Sequence, residues 1–193
     1  MKCYMCKDSP CGKGEPCVAI DSRPLYDEVD QKLMKVAAAV EADYYCQMCR
    51  VDEIMEFCRR MGYKKIGIAN CTGFQKEAKV FAGLLSKEFE VYSACCKIGG
   101  VRKADMGHEE RPWLGCTSCN PAEQARSLEQ AGTEFNVILG LCVGHDSVFM
   151  RHSKAPCTVL AVKDRLLGNN PAVALTCDYI IKGLGKRHQP RTE

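Results

Sequence analysis

The chain has 193 residues, 46% hydrophobic and 26% charged, with a net charge of +3, enough for one core and a small appendage. No stretch of about 18 apolar residues exists, so no membrane-spanning helix is expected, and the opening Met1-Lys2-Cys3-Tyr4-Met5-Cys6 lacks the apolar run of an export signal. The cysteine count, 15, is odd, which a fully paired disulfide framework cannot accommodate, so a reducing cytoplasm with thiols kept for metal is expected.

Residues 1–20 carry Cys3-x2-Cys6-x4-Cys11-x5-Cys17 among glycine, proline and lysine, with too few apolar residues for a core. Four thiolates so spaced can close a tetrahedral shell around zinc or hold the corners of an iron–sulfur cluster. The spacing follows neither the usual zinc-knuckle nor the usual ferredoxin pattern, so both metals stay open. This knuckle is read as one unit, and residues 21–193 as an α/β unit that includes two N-terminal helices. The first helix is expected from Pro24, with Leu25, Val29, Leu33, Val36 and Val40 on one face. The second covers Arg50 to Met61, with Val51, Ile54, Met55, Cys58 and Met61 on one face and Gly62 as its stop. Cys46-x2-Cys49 at the junction is a candidate metal or dithiol pair, without the βαβ context of a thioredoxin-like motif.

The hydrophobic period then changes. Residues 65–69, 90–94, 135–141 and 157–162 read as strands, with helices from Phe74 to Leu85, from Pro121, over 146–151 and over 171–182. This βαβ succession predicts a Rossmann-like or flavodoxin-like fold: a small parallel sheet of about four strands with helices on both faces. A long loop from Lys97 to Asn120, hinged at Gly99-Gly100, has the length of a functional or mobile segment. Lys182, Lys186, Arg187, His188 and Arg191 form a basic tail without interleaved aromatics, read as solvated, so no nucleic-acid partner is expected.

In an open parallel sheet, ligands bind beyond the carboxyl ends of the strands. Cys71, the pair Cys95-Cys96 and Cys142 each follow a predicted strand, and Cys119 precedes the helix start Asn120-Pro121. Helix N-termini favour thiolates and offset cluster charge, so an iron–sulfur cluster is expected on Cys71, Cys96, Cys119 and Cys142, with Cys116 close by. Cys96 is preferred to Cys95 because strand alternation would turn Cys95 toward the core. His145 is expected near the Cys142 sulfur as a hydrogen-bond donor, with a ligand, proton-relay or capping role as alternatives. Lys163-Asp164-Arg165 follows the fourth strand and faces the same edge, able to bind an anion or tune a cluster. Cys58, Cys157 and Cys177 read as packing thiols, and Asp105, His108, Glu109 and Glu110 as a solvated loop.

These residues carry a family resemblance. The N-terminal cysteines, Arg50-Val51-Asp52-Glu53-Ile54 and Gly62 through Cys71 are similar to the uncharacterised cysteine-rich metal-binding proteins of bacteria and archaea, a domain of unknown function. So are Cys95 through Gly100, Cys119-Asn120-Pro121, Gly140 through Asp146, Ser153-Lys154-Ala155-Pro156 and Lys163-Asp164-Arg165. The resemblance implies metal binding and supplies no reaction; Cys46, Cys49, Cys116, Cys157 and Cys177 stand outside it. Cys58, Cys95-Cys96 and Cys116-x2-Cys119 also resemble the paired-cysteine motif of heterodisulfide reductase subunits, although the gap is shorter and Lys97 replaces the expected glycine. The expected function is an iron–sulfur protein of redox or electron transfer, acting with a redox partner protein. A non-catalytic zinc protein, structural or metal-handling, is one alternative, and a cluster-dependent enzyme with substrate beside His145 and Lys163 is another.

Overall fold

The computed structural model describes residues 2–185; the basic residues Lys186, Arg187, His188 and Arg191 lie outside them. Strands β1 (Lys65–Asn70), β2 (Glu90–Cys95), β3 (Phe135–Leu141) and β4 (Cys157–Val162) form one parallel sheet in the order β2-β1-β3-β4. The central strands β1 and β3 are buried almost throughout, which is why Ile66–Ala69 and Val137–Leu139 are continuous apolar runs. The helices α1 (Glu28–Tyr44), α2 (Arg50–Met61), α3 (Gln75–Leu85), α4 (Pro121–Gln130) and α5 (His145–His152) complete the α/β fold. Right-handed crossovers put α3 on one face and α4 and α5, which pack together, on the other. The winding reverses between β1 and β3, so the crevice at their carboxyl ends is the topological switch point.

Local signals set several boundaries. Helix α2 ends where Gly62 takes φ +80°, its N–H closing on Arg59 O. Helix α4 starts at Pro121 behind Asn120, whose side-chain oxygen accepts from Glu123 N–H at 3.4 Å. Three expectations need correction. Helix α1 starts at Glu28 rather than Pro24, because the Asp27 carboxylate caps Asp30 N–H at 2.8 Å while Arg23–Leu25 closes as a separate 3-10 turn. The predicted last helix is two single turns, α6 (Val173–Thr176) and α7 (Asp178–Ile181), broken by the extended backbone of Cys177. The loop after β2 is a pinned excursion: Arg102 bridges Thr117 and Arg111 bridges Leu114 in antiparallel pairs. Among the described residues, no helix is long and apolar enough to cross a membrane.

One close approach shapes the carboxyl edge. Gly140 sits inside β3 with φ +72°, where the register with β4 slips, and the Phe74 ring lies where a Cβ would stand. Phe74 closes the turn after Cys71, and Lys163 Nζ lies 4.2 Å from its ring centroid. Gly140 therefore lets the turn after β1 fold onto β3. Gly140→Ala should lower stability by about 2–5 kcal/mol, the sum of left-handed strain and overpacking. Urea unfolding with an unchanged m-value measures it; a loss under about 0.5 kcal/mol would mean that the Phe74 contact is not made.

Candidate functional site

A row of backbone hydrogen bonds crosses the carboxyl edge of the sheet. Lys163 N–H donates to Leu141 O, Cys71 N–H to Leu139 O, Cys96 N–H to Asn70 O and Asn120 N–H to Cys96 O, all within 2.8–3.0 Å. The row ties the ends of β4, β3, β1 and β2 to the start of α4. The neck of the long excursion closes beside it, with Ser118 N–H on Val101 O at 2.8 Å and Lys103 N–H on Cys116 O at 2.9 Å. The chain thus leaves the edge at Cys96 and returns to it at Cys119. Gln124, fully buried, donates through Nε2 to Asn70 O at 3.2 Å and Ala94 O at 2.6 Å, while among the described residues its Oε1 has no hydrogen-bond partner.

This geometry brings the predicted core thiols together. Cys96 lies near enough to Cys71 and Cys119 to shift both thiols, and Cys142 near enough to Cys119 for their charges to interact. Cys71 and Cys96 are buried, Cys119 and Cys142 half-buried. Thr72 N–H donates to Cys96 Sγ and Gly73 N–H to Cys71 Sγ, both at 3.4 Å. The Cys96 contact and then burial push the Cys71 thiol far up. Cys119 goes the other way, to about 6, because the Cys96 thiol donates to it and the Lys97 ammonium stands close, outweighing burial.

Three cations line the same site. Arg165 Nη2 lies 3.2 Å from Cys142 Sγ, and that hydrogen bond raises the already high guanidinium pKa. Lys97 Nζ donates to Thr117 O and attracts the Cys119 thiolate. Lys163 attracts the Cys71 thiolate from its place over Phe74. None of the three has a carboxylate partner within salt-bridge distance among the described residues. Among the described residues, however, no group of three or more His, Cys, Asp and Glu side chains stands in an arrangement that would hold a metal ion as it is.

The other candidates are placed differently. Cys95, the last residue of β2, is half-buried; Ala94, not Cys95, is the buried member of that strand end. His145 meets the site through its backbone, N–H to Cys142 O at 3.0 Å, and among the described residues its ring has no hydrogen-bond partner. Asp146 accepts from Ser147 N–H and does not cap α5, whose N-cap is Gly144. Arg165 Nη2 donates to the Cys142 sulfur from the loop after β4. Cys116 is exposed and lines a separate surface cavity of about 400 Å³ beside Arg111 and Leu114. Cys3, Cys6, Cys11 and Cys17 are all exposed on 3-10 turns and bends; Cys6 N–H returns to Cys3 O at 3.0 Å, and Gly14 N–H to Cys11 O at 3.2 Å. Cys46 has φ +58°, and the Cys49 thiol donates to Asp52 Oδ2 at 3.1 Å. Cys58 is fully buried and its thiol is pushed up to about 12 by burial.

The backbone donors Thr72 and Gly73 and the return of the chain through the neck carried no advance signal. The cations Lys97 and Arg165 did, since each adjoins a quoted motif.

Residues 15–160 match the family described as "Protein of unknown function (DUF1847)", and the chain belongs to it. The match includes Cys71, Cys96, Cys119 and Cys142 and leaves Cys3, Cys6 and Cys11 outside. The chain is also similar to "Uncharacterized protein MJ0455" of Methanocaldococcus jannaschii, 43% identical over 195 residues that span 95% of this chain and 98% of the relative.

The opposite shifts of Cys71 and Cys119 are measurable in reduced, metal-free protein. Alkylation of Cys119 by iodoacetamide, followed by peptide mass mapping, should rise with a midpoint near pH 6, with Cys71 unreacted there. The sign for stability follows from the depressed pKa. The native state favours the Cys119 thiolate, so this contribution is full above the unfolded thiol value of about 8.5 and is lost as pH falls through about 6. A midpoint at the free-thiol value would show that Cys96 and Lys97 do not act on Cys119.

Proposed function

We propose that this member of the family holds a metal centre on Cys71, Cys96, Cys119 and Cys142, most simply an iron–sulfur cluster, and serves redox or electron transfer. The observation that carries the reading is that these four thiols share the carboxyl edge of the sheet, where backbone hydrogen bonds tie Cys71 to β3, Cys96 to β1 and the start of α4 to Cys96. Thiolates are the ligand type that such clusters use. The surroundings fit an anionic, sulfur-rich group: two backbone N–H donors on sulfur, and Arg165, Lys97 and Lys163 against three different thiols. Uncompensated, that many cations would repel one another, and a group of net negative charge would relieve this. Cys142, drawn to Arg165, stands somewhat apart, so loading requires its side chain to turn from the guanidinium.

A cluster bound there would supply one-electron transfer. The protein's own contribution is electrostatic. Arg165, Lys97, Thr72 and Gly73 stabilise added negative charge at the sulfurs and so favour the reduced state. In the same reading Cys3, Cys6, Cys11 and Cys17 form a second site for zinc or a cluster, which would order residues 1–20 by its binding energy. A redox partner protein and a cytoplasmic, reducing setting follow from the thiol load.

Anaerobically purified protein should contain iron and acid-labile sulfide and absorb near 400 nm, an order-of-magnitude marker of thiolate-bound iron. Cys96→Ser should abolish the core iron, whereas Cys6→Ser should leave it in place and expose residues 1–20 to protease. Zinc without sulfide in the core would overturn the redox reading in favour of a zinc protein, and no metal at all would overturn both.

Arg165→Gln should keep the metal content and lower the reduction potential, measured by dye-mediated anaerobic titration. An unchanged potential would remove Arg165 from any tuning role.

A further inference from the structure

The amino end of the sheet, opposite the thiols, carries a cavity of about 680 Å³ between α1, α2 and the first residues of β3 and β4. Its floor is apolar and largely buried: Val40, Ile54, Phe57 and Phe135, the two rings 5.4 Å apart. Its polar side holds two carboxylates, Glu41 and Glu53. Neither has an ion-pair or side-chain hydrogen-bond partner among the described residues. The volume is that of a small-molecule site, apolar with a few polar groups.

The contrast within α2 points to the ligand. Glu56 has a side chain only 14% exposed and is held by Arg59 at 2.6 Å and Arg60 at 2.7 Å. Glu53, about one turn earlier and also half-buried, faces the cavity with no cation to meet it. A partly buried carboxylate without a partner is costly. The one cation of the lining, Arg50, is already committed: Nε donates to Val159 O and Nη2 to Thr158 Oγ1, both at 2.8 Å. An anionic ligand would meet two carboxylates against one cation, Arg50, whose guanidinium is already turned to β4. A neutral one would leave Glu53 as it is.

We propose that this cavity binds an organic amine, its cationic nitrogen on Glu53 and Glu41 and its apolar body over Phe57, Phe135, Val40 and Ile54. The site is independent of the thiol set and of any metal there.

Isothermal titration calorimetry with phenethylamine, phenethyl alcohol and phenylacetate on the full chain tests it. The amine should bind saturably, the alcohol at least about tenfold more weakly, a difference of roughly 1.4 kcal/mol, and the acid not at all. Glu53→Gln should weaken the amine about tenfold and leave the alcohol unchanged, an effect that unfolding would not give. Ala37→Trp, at an exposed lining position, should block binding with the circular dichroism spectrum unchanged. Equal binding of amine and alcohol, an unaffected Glu53→Gln, or no saturable binding overturns the proposal. So does self-association in sedimentation velocity that Ala37→Trp abolishes, because a second copy would then cover the cavity.

Discussion

Cys96 is held by its backbone from two directions. Its N–H donates to Asn70 O at the end of β1 and its carbonyl accepts from Asn120 N–H at the start of α4, both at 2.8 Å. Buried to 3% exposure, the residue has little freedom to shift. Its sulfur is thereby fixed between Cys71, which leaves β1, and Cys119, which enters α4. Gln124 reinforces the arrangement by joining the carbonyl of Asn70 at the end of β1 to that of Ala94, one residue before the end of β2.

The two ends of the sheet differ in charge. Lys97, Lys163 and Arg165 meet thiols at the carboxyl end, and Glu41 and Glu53 border an apolar cavity at the amino end. A chain with net charge +3 thus carries a polarity that its composition conceals. Among the described residues most of the other arginines are paired on the surface, as Arg59 with Glu88 and Arg60 with Asp43, where such pairs add little stability.

Local chemistry made much of the fold legible. Helix α2, Gly62, Asn120-Pro121 and the strands all follow from spacing and capping within a few residues, and the parallel sheet from their succession. The thiol cluster was legible to the extent that strand ends share one edge. What fails is competition between nearby signals and contact between distant ones. Asp27 outcompetes Pro24 as a helix start because a charged cap satisfies a backbone donor and Pro24 satisfies none. Strand alternation pointed to Cys95 as the inward residue, whereas Ala94 is the buried one, and it is the backbone bonds of Cys96 that hold it at the edge. Arg165 reaches Cys142 across 23 residues, and the antiparallel neck joins residues 101–103 to 116–118; no local pattern encodes either.

The burial of Cys58 has a use that owes nothing to metal. Its thiol lies at 0% exposure among core side chains and is pushed up to about 12, so it is inert while the core stays closed. A thiol reagent can reach it only through openings of α2 from the sheet. The rate at which Cys58 is labelled therefore reports the free energy of that opening. The molecule contains its own probe of cooperative unfolding, at a position where no engineered label would fit.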